Sequence, residues 1–133
     1  MNRSSHPLIT EEAVVEFVTH VGGVTFVELT GHFGSDAVGT RVITLHNDPN
    51  LVLWMNVSLA LETAITGAIN HKRIYAFPTT PLLYLMDGQF CTLPIAKTIK
   101  PFYYRTPHWI PVEFNTWKHL TSAQRQVVRD SRQ

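Results

Sequence analysis

Gly22 and Gly23 cut short an apolar helical stripe, and a second helix start follows them at once. This pairing rules out one long amino-terminal helix and forces a helical hairpin. Upstream, Thr10 has the hydroxyl of an N-cap, and Glu11 and Glu12 stand where the positive end of a helix dipole favours carboxylates. Val14, Phe17, Val18 and Val21 then recur at helical spacing. Downstream, Thr25 and Glu28 have the spacing of a capping box, so a short helix is expected through Val27 and Leu29 to about Phe33, with Gly34 as terminator.

Beyond Gly34 the period changes. Val42 to Leu45 and Leu51 to Met55 read as strands, with a turn over Asn47, Asp48, Pro49 and Asn50. A third helix is expected from Ser58, because Val57, Leu61, Ala64, Ile65, Ala68 and Ile69 share one helical face. Ile74 to Phe77, Leu82 to Met86 and Phe90 to Leu93 read as a three-stranded meander, with loops at Pro78 to Pro81 and at Asp87-Gly88. Prolines at 94, 101, 107 and 111 make residues 94–114 an extended wrapping segment, with a possible edge strand over Trp109 to Phe114. A basic helix is expected within residues 115–133, either continuous from Thr116 or restarted at Thr121 and Gln124. The chain has 133 residues, of which 44% are hydrophobic, a size and composition that suit a single domain over 1–133 with a tail at 1–9.

Three helices followed by a β-hairpin is an order that resembles the winged helix-turn-helix fold. Leu53-Trp54, Arg73-Ile74, Pro78-Thr79-Thr80-Pro81-Leu82, Tyr84-Leu85, Asp87-Gly88 and His108-Trp109-Ile110-Pro111 carry a further likeness, to small winged-helix-like proteins of actinobacteriophages. The resemblance implies an α+β, winged-helix-like class with three core helices, a β-hairpin or three-stranded wing meander, and a C-terminal helix. The helix from Ser58 to Asn70 would take the recognition position and Arg73 to Met86 the wing. One departure is plain: about two dozen residues separate the second and third helices, where a standard motif has a short turn.

Charge is distributed unevenly. Residues 1–70 hold two arginines against seven acids, whereas 71–133 hold nine cations against three acids. A polyanion is therefore expected to meet the second half. On the third helix Leu59, Thr63, Thr66 and Asn70 oppose the apolar stripe; Thr and Asn can contact base edges, but the helix has no cation and contains Glu62. Lys72 and Arg73 follow it, where they either complement the helix dipole or reach phosphate. Thr79 and Thr80 sit at the expected wing tip, either as phosphate contacts or simply as turn residues. Lys97, Lys100 and Arg105 interleave with Phe102, Tyr103, Tyr104, His108 and Trp109. That pattern suits stacking on single strands, or aromatics that pin an irregular segment to the core. Lys118, Arg125, Arg129 and Arg132 make a basic stripe on the last helix, suited to phosphate contact or to plain solvation.

The expected function is DNA binding by a small regulatory factor. The alternative is a protein-interaction module that takes a host protein or a second copy through the neutral Leu59, Thr63 and Thr66 face. Only 16% of residues are charged, which suits partner contact. The seven histidines lack metal-ligand spacing, and no phosphate loop or nucleophile elbow occurs. No catalytic residues, metal or cofactor are therefore expected. Cys91 is expected to be a buried apolar thiol. The polar opening from Met1 to Thr10 and the absence of an apolar run near the roughly 20 residues of a membrane span point to a cytoplasmic chain that does not cross a bilayer.

Overall fold

Hydroxyl caps set the helix starts. Thr10 accepts from the Ala13 amide, Ser58 from Leu61 and Thr80 from Leu82, and both Thr25 and Thr121 complete capping boxes. Each such cap contributes about 1 kcal/mol. The computed structural model describes residues 6–131. Its helices are α1 (Glu11–Val21), α2 (Phe26–Phe33), α3 (Leu59–Asn70), α4 (Pro81–Met86) and α5 (Ser122–Asp130). Its strands are β1 (Val38–Leu45), β2 (Asp48–Val57), β3 (Tyr75–Pro78), β4 (His108–Trp109) and β5 (Val112–Asn115), with 3-10 turns at Gly34–Ala37 and Trp117–His119. The fold is mixed α+β. β1 pairs antiparallel with β2 and β4 joins β2 in parallel, while β3 and β5 form a separate antiparallel pair.

The amino-terminal helices, the β1–β2 hairpin and α3 lie where the sequence puts them. The hairpin turn is shifted: His46 and Asn47 take left-handed φ values of 58° and 56°, and Asp48 already belongs to β2. A two-residue turn with both φ positive matches strand twist, which explains why the proline-containing tetrad is not the turn.

The expected meander does not form. Leu82 to Met86 is helix, because Thr80 caps it and Pro81 supplies a helical φ at its first position. Asp87 and Gly88 end that helix and do not turn a hairpin, and Phe90 to Leu93 is irregular. β3 pairs with β5, from Tyr75 opposite Asn115 to Pro78 opposite Val112. Arg73 to Met86 is therefore not a wing hairpin, and the winged-helix topology is not confirmed. The edge strand expected over Trp109 to Phe114 appears as two short strands, β4 and β5. The last helix starts afresh at Thr121, the second of the two alternatives, after the 3-10 turn at Trp117. The tail over residues 1–5, and Arg132, lie outside the described residues.

An aromatic block explains why residues 81–86 coil. Tyr84 is fully buried, 5.1 Å from the Trp54 ring and 5.0 Å edge-on from Trp109. Its hydroxyl donates to the Val112 carbonyl at 2.7 Å and accepts from the Phe26 amide at 3.3 Å. Burial pushes the Tyr84 phenol well above its usual range, so it stays protonated and able to donate. The Trp109 indole donates to the Leu53 carbonyl at 3.1 Å. Around this block pack Val14 and Val18 of α1, Leu29 and Phe33 of α2, and Leu61 and Ile65 of α3, all fully buried. Tyr84→Phe keeps the ring but strands a buried amide and a buried carbonyl. The expected cost is about 2–3 kcal/mol in urea denaturation, and a midpoint equal to that of the parent would contradict this account.

Candidate nucleic-acid interface

α3 exposes the stripe that its sequence predicts. Leu59, Thr63, Thr66 and Asn70 face solvent, while Leu61, Ala64, Ile65 and Ala68 are buried. Arg41 of β1 is engaged by this helix, its Nε 2.6 Å from Glu62 Oε1. The helix itself carries no cation.

Arg73 is committed to the fold. Its guanidinium donates to both Glu12 carboxylate oxygens, at 2.7 and 2.8 Å, and to Glu11 at 3.2 Å. His71 Nδ1 lies 3.0 Å from the same Glu11 carboxylate. Gly67 makes room for this contact, since a Cβ there would stand 2.6 Å from Glu11 Oε1. The His71 hydrogen bond, assisted by Arg73, holds Glu11 below the usual carboxylate range, and Arg73 does the same for Glu12. The paired carboxylates in turn raise the Arg73 pKa. Thr79 and Thr80 are also occupied. The Thr79 hydroxyl donates to Glu113 at 3.3 Å and its amide donates to Pro111, while Thr80 caps α4.

Thr66, Asn70 and Lys72 line one groove of about 860 Å3. The groove is largely apolar, and α5 forms one wall with Val127 and Val128. Arg125 and Arg129 stand over the Trp117 ring, at 5.4 and 5.5 Å from its centre. Arg125 also donates to the Trp117 and Lys118 carbonyls, so it anchors α5 to the preceding turn. Lys118 is exposed beside that turn.

The remaining cations sit on a different feature. Lys97, Lys100 and Arg105 are exposed, with no ion pair among the described residues, and no Asp or Glu occurs in sequence between Asp87 and Glu113. The aromatics among them divide by role. Tyr104 is a staple: its ring stacks on His108 at 3.7 Å, and its hydroxyl accepts from the Lys97 and Thr98 amides. Phe102 and Tyr103 point outward, 71% and 61% exposed. Phe102 has φ 59°, a conformation that costs a bulky residue energy and that the surroundings must enforce. The enforcing group is Asp48, buried at the start of β2. One of its carboxylate oxygens accepts from the Phe102 amide at 2.6 Å and the other from the Asn50 amide at 2.9 Å. The Asn50 side chain then donates to the Tyr104 carbonyl at 2.9 Å. The role of Asp48 is not visible in the sequence, where Asp-Pro-Asn signals only a turn.

Cys91 is buried, and burial raises its thiol pKa, which suits packing better than reactivity. No protein-family model matches the chain, and no curated protein or solved structure matches it either.

The Arg73 clamp has a pH signature. Glu11 and Glu12 have lowered pKa values in the folded state, so their contribution is complete above the ordinary carboxylate range and is lost as pH falls through the lowered values. Arg73→Gln should therefore lower the urea midpoint at neutral pH and leave it closer to the parent midpoint at about pH 3. An equal loss at both pH values would mean that the arginine acts through packing alone.

Proposed function

We propose that this chain is a small nucleic-acid-binding protein of regulatory type whose principal contacts come from the segment Lys97 to Arg105, with α3 in a secondary place. The supporting observation is Phe102: a buried carboxylate holds its backbone in a costly conformation, and the outcome is an aromatic ring in water within a segment whose three cations have no ion pair among the described residues. A core residue needs no such arrangement. An exposed ring stacks on a base for about 1–3 kcal/mol, and each lysine or arginine that meets a phosphate releases counterions. Stacking calls for unpaired bases, so single-stranded DNA or a locally opened duplex is the substrate class.

The test is fluorescence anisotropy with a labelled single-stranded oligonucleotide and its duplex over a salt series. Single strands should bind more tightly, with affinity falling steeply as salt rises. Phe102→Ala should weaken binding about tenfold, and Lys97→Ala with Lys100→Ala should flatten the salt slope by about 1.4. Absence of binding at low salt, or full affinity in Phe102→Ala, would end this reading.

A second reading, a protein-interaction module that self-associates or takes a host protein, draws on another surface. Leu82, Leu85 and Met86 of α4 are 58%, 57% and 76% exposed, and between Ile74 and Ala96 the sequence has a single charge, Asp87, whose carboxylate accepts from the Thr25 hydroxyl. Such a face neither repels a copy of itself nor favours water. Light scattering should then show a dimer that Leu85→Asp returns to monomer, and a monomer at every concentration would exclude self-association through α4.

A further inference from the structure

The apolar groove beside α3 is bordered by the β1–β2 hairpin and by the open edge of β3. Ile43, Thr44 and Leu45 of β1 line it, as do Tyr75, Ala76 and Phe77 of β3. Leu53 of the inner strand β2 lines it too, so on that side the groove lies over the sheet, whereas the consecutive residues of β3 are presented at a strand edge, since successive side chains of a strand point to opposite faces. β1 is the outer strand of its sheet, and β3 has β5 on one side only.

The hydrogen-bond pattern shows which backbone groups are free on β3. Phe114 of β5 spends its amide and carbonyl on Val24, at 2.8 and 3.0 Å. In an antiparallel ladder those groups then point away from β3 at this residue, so the Phe114–Ala76 pair is not hydrogen bonded. The bonds between β3 and β5 pass instead through Tyr75 with Asn115 and Phe77 with Glu113. By the same alternation the amide and carbonyl of Ala76 point outward on the side that lines the groove. An unpaired edge of this kind is a template for another strand.

We infer that this groove receives an extended peptide segment bearing a carboxylate, which adds to the free edge of β3. Charge sets the occupant. Among the described residues no Asp or Glu side chain lines the groove, and the one Lys or Arg that does, Lys72, has no ion pair. Lys72 stands at φ 59° immediately after the α3 C-terminus, on the rim. An anionic group on the peptide finds its complement there, whereas a cationic peptide meets only like charge. The walls, among them Leu45, Ile69, Phe77, Val127 and Val128, accept apolar side chains that alternate along the bound strand. At about 860 Å3 the groove lies in the upper part of the range for ligand clefts, room enough for a short segment. The α5 wall buries none of its own residues and can adjust to the occupant. This site is separate from the Lys97 to Arg105 surface, and the inference does not depend on nucleic-acid binding.

The test pans the full chain against a random heptapeptide library with free carboxyl termini, then measures retained peptides by anisotropy and amide exchange. Retained peptides should be rich in β-branched residues and carry Asp, Glu or a required terminal carboxylate. Ala76→Pro removes the outward donor without touching a ladder bond, and should weaken binding at least tenfold. Lys72→Asn, chosen because asparagine tolerates a left-handed backbone, should weaken it several-fold. In the parent protein, exchange of the Ala76 amide should slow when peptide is added, a readout that stands even if the proline variant folds poorly. No retained peptide, unchanged Ala76 exchange in the complex, or displacement of the peptide by a single-stranded oligonucleotide would each overturn the inference. Phe102→Ala should leave peptide affinity unchanged, which separates this site from the nucleic-acid reading.

Discussion

One buried hydroxyl joins three parts of the chain that are distant in sequence. Tyr84 on α4 donates to Val112 at the start of β5 and accepts from Phe26 at the start of α2, while its ring meets Trp54 of β2 and Trp109 of β4. A neutral hydrogen bond contributes only about 1 kcal/mol net, but an unsatisfied buried group costs more, so these partners are fixed in place together. The position of β5 then determines the rest. β5 takes up β3 on one side and Val24 on the other, and it carries Asn115, whose side chain accepts from the Gly23 amide at 2.8 Å. The glycine turn between α1 and α2, the free edge of β3 and the groove beside α3 all follow from where that strand lies.

Asp48 performs a comparable service at the opposite end of β2. It is 1% exposed, and its two oxygens take amides from Asn50 and Phe102. A carboxylate is so costly to bury that accepted hydrogen bonds must compensate, and here one comes from β2 itself and the other from the irregular passage at Phe102. The long irregular passage before β4 gains a fixed tip as a result. The backbone of the exposed Phe102 is held by the same contact that satisfies the acid.

What the sequence revealed was local. Thr25 with Glu28, Thr10 before two glutamates, and Ser58 before an apolar stripe are each complete within one or two turns of helix, and all three starts lie where expected. Leu82 to Met86 misled because a five-residue apolar run fits a strand and a buried turn of helix equally well. The deciding signal is Thr80-Pro81 as cap and first helical residue, a pair that also suits a loop. The pairing of β3 with β5 lies beyond any local pattern, since Tyr75 and Asn115 are distant in sequence. The candidate site divided in the same way. The exposed face of α3 followed from helical periodicity, whereas Asp48 as the support of Phe102 required the folded chain.

The charge asymmetry shows how composition and surface can part company. Counted along the chain, an acidic half precedes a basic half, which suggests a polyanion site on the second. Folding brings the halves together, and Arg73 is drawn onto Glu11 and Glu12 while Arg41 settles on Glu62. Arg125 is turned to backbone carbonyls and an indole face. Arginine is suited to such sites because its planar fork meets carboxylates and rings with little loss of freedom. Lysine, a strongly hydrated point charge on a flexible stem, remains on the surface, and Lys72, Lys97 and Lys100 are exposed without ion pairs among the described residues. The arginines named here thus serve mainly to join one part of the chain to another, and the exposed charge is left to those three lysines and to Arg105.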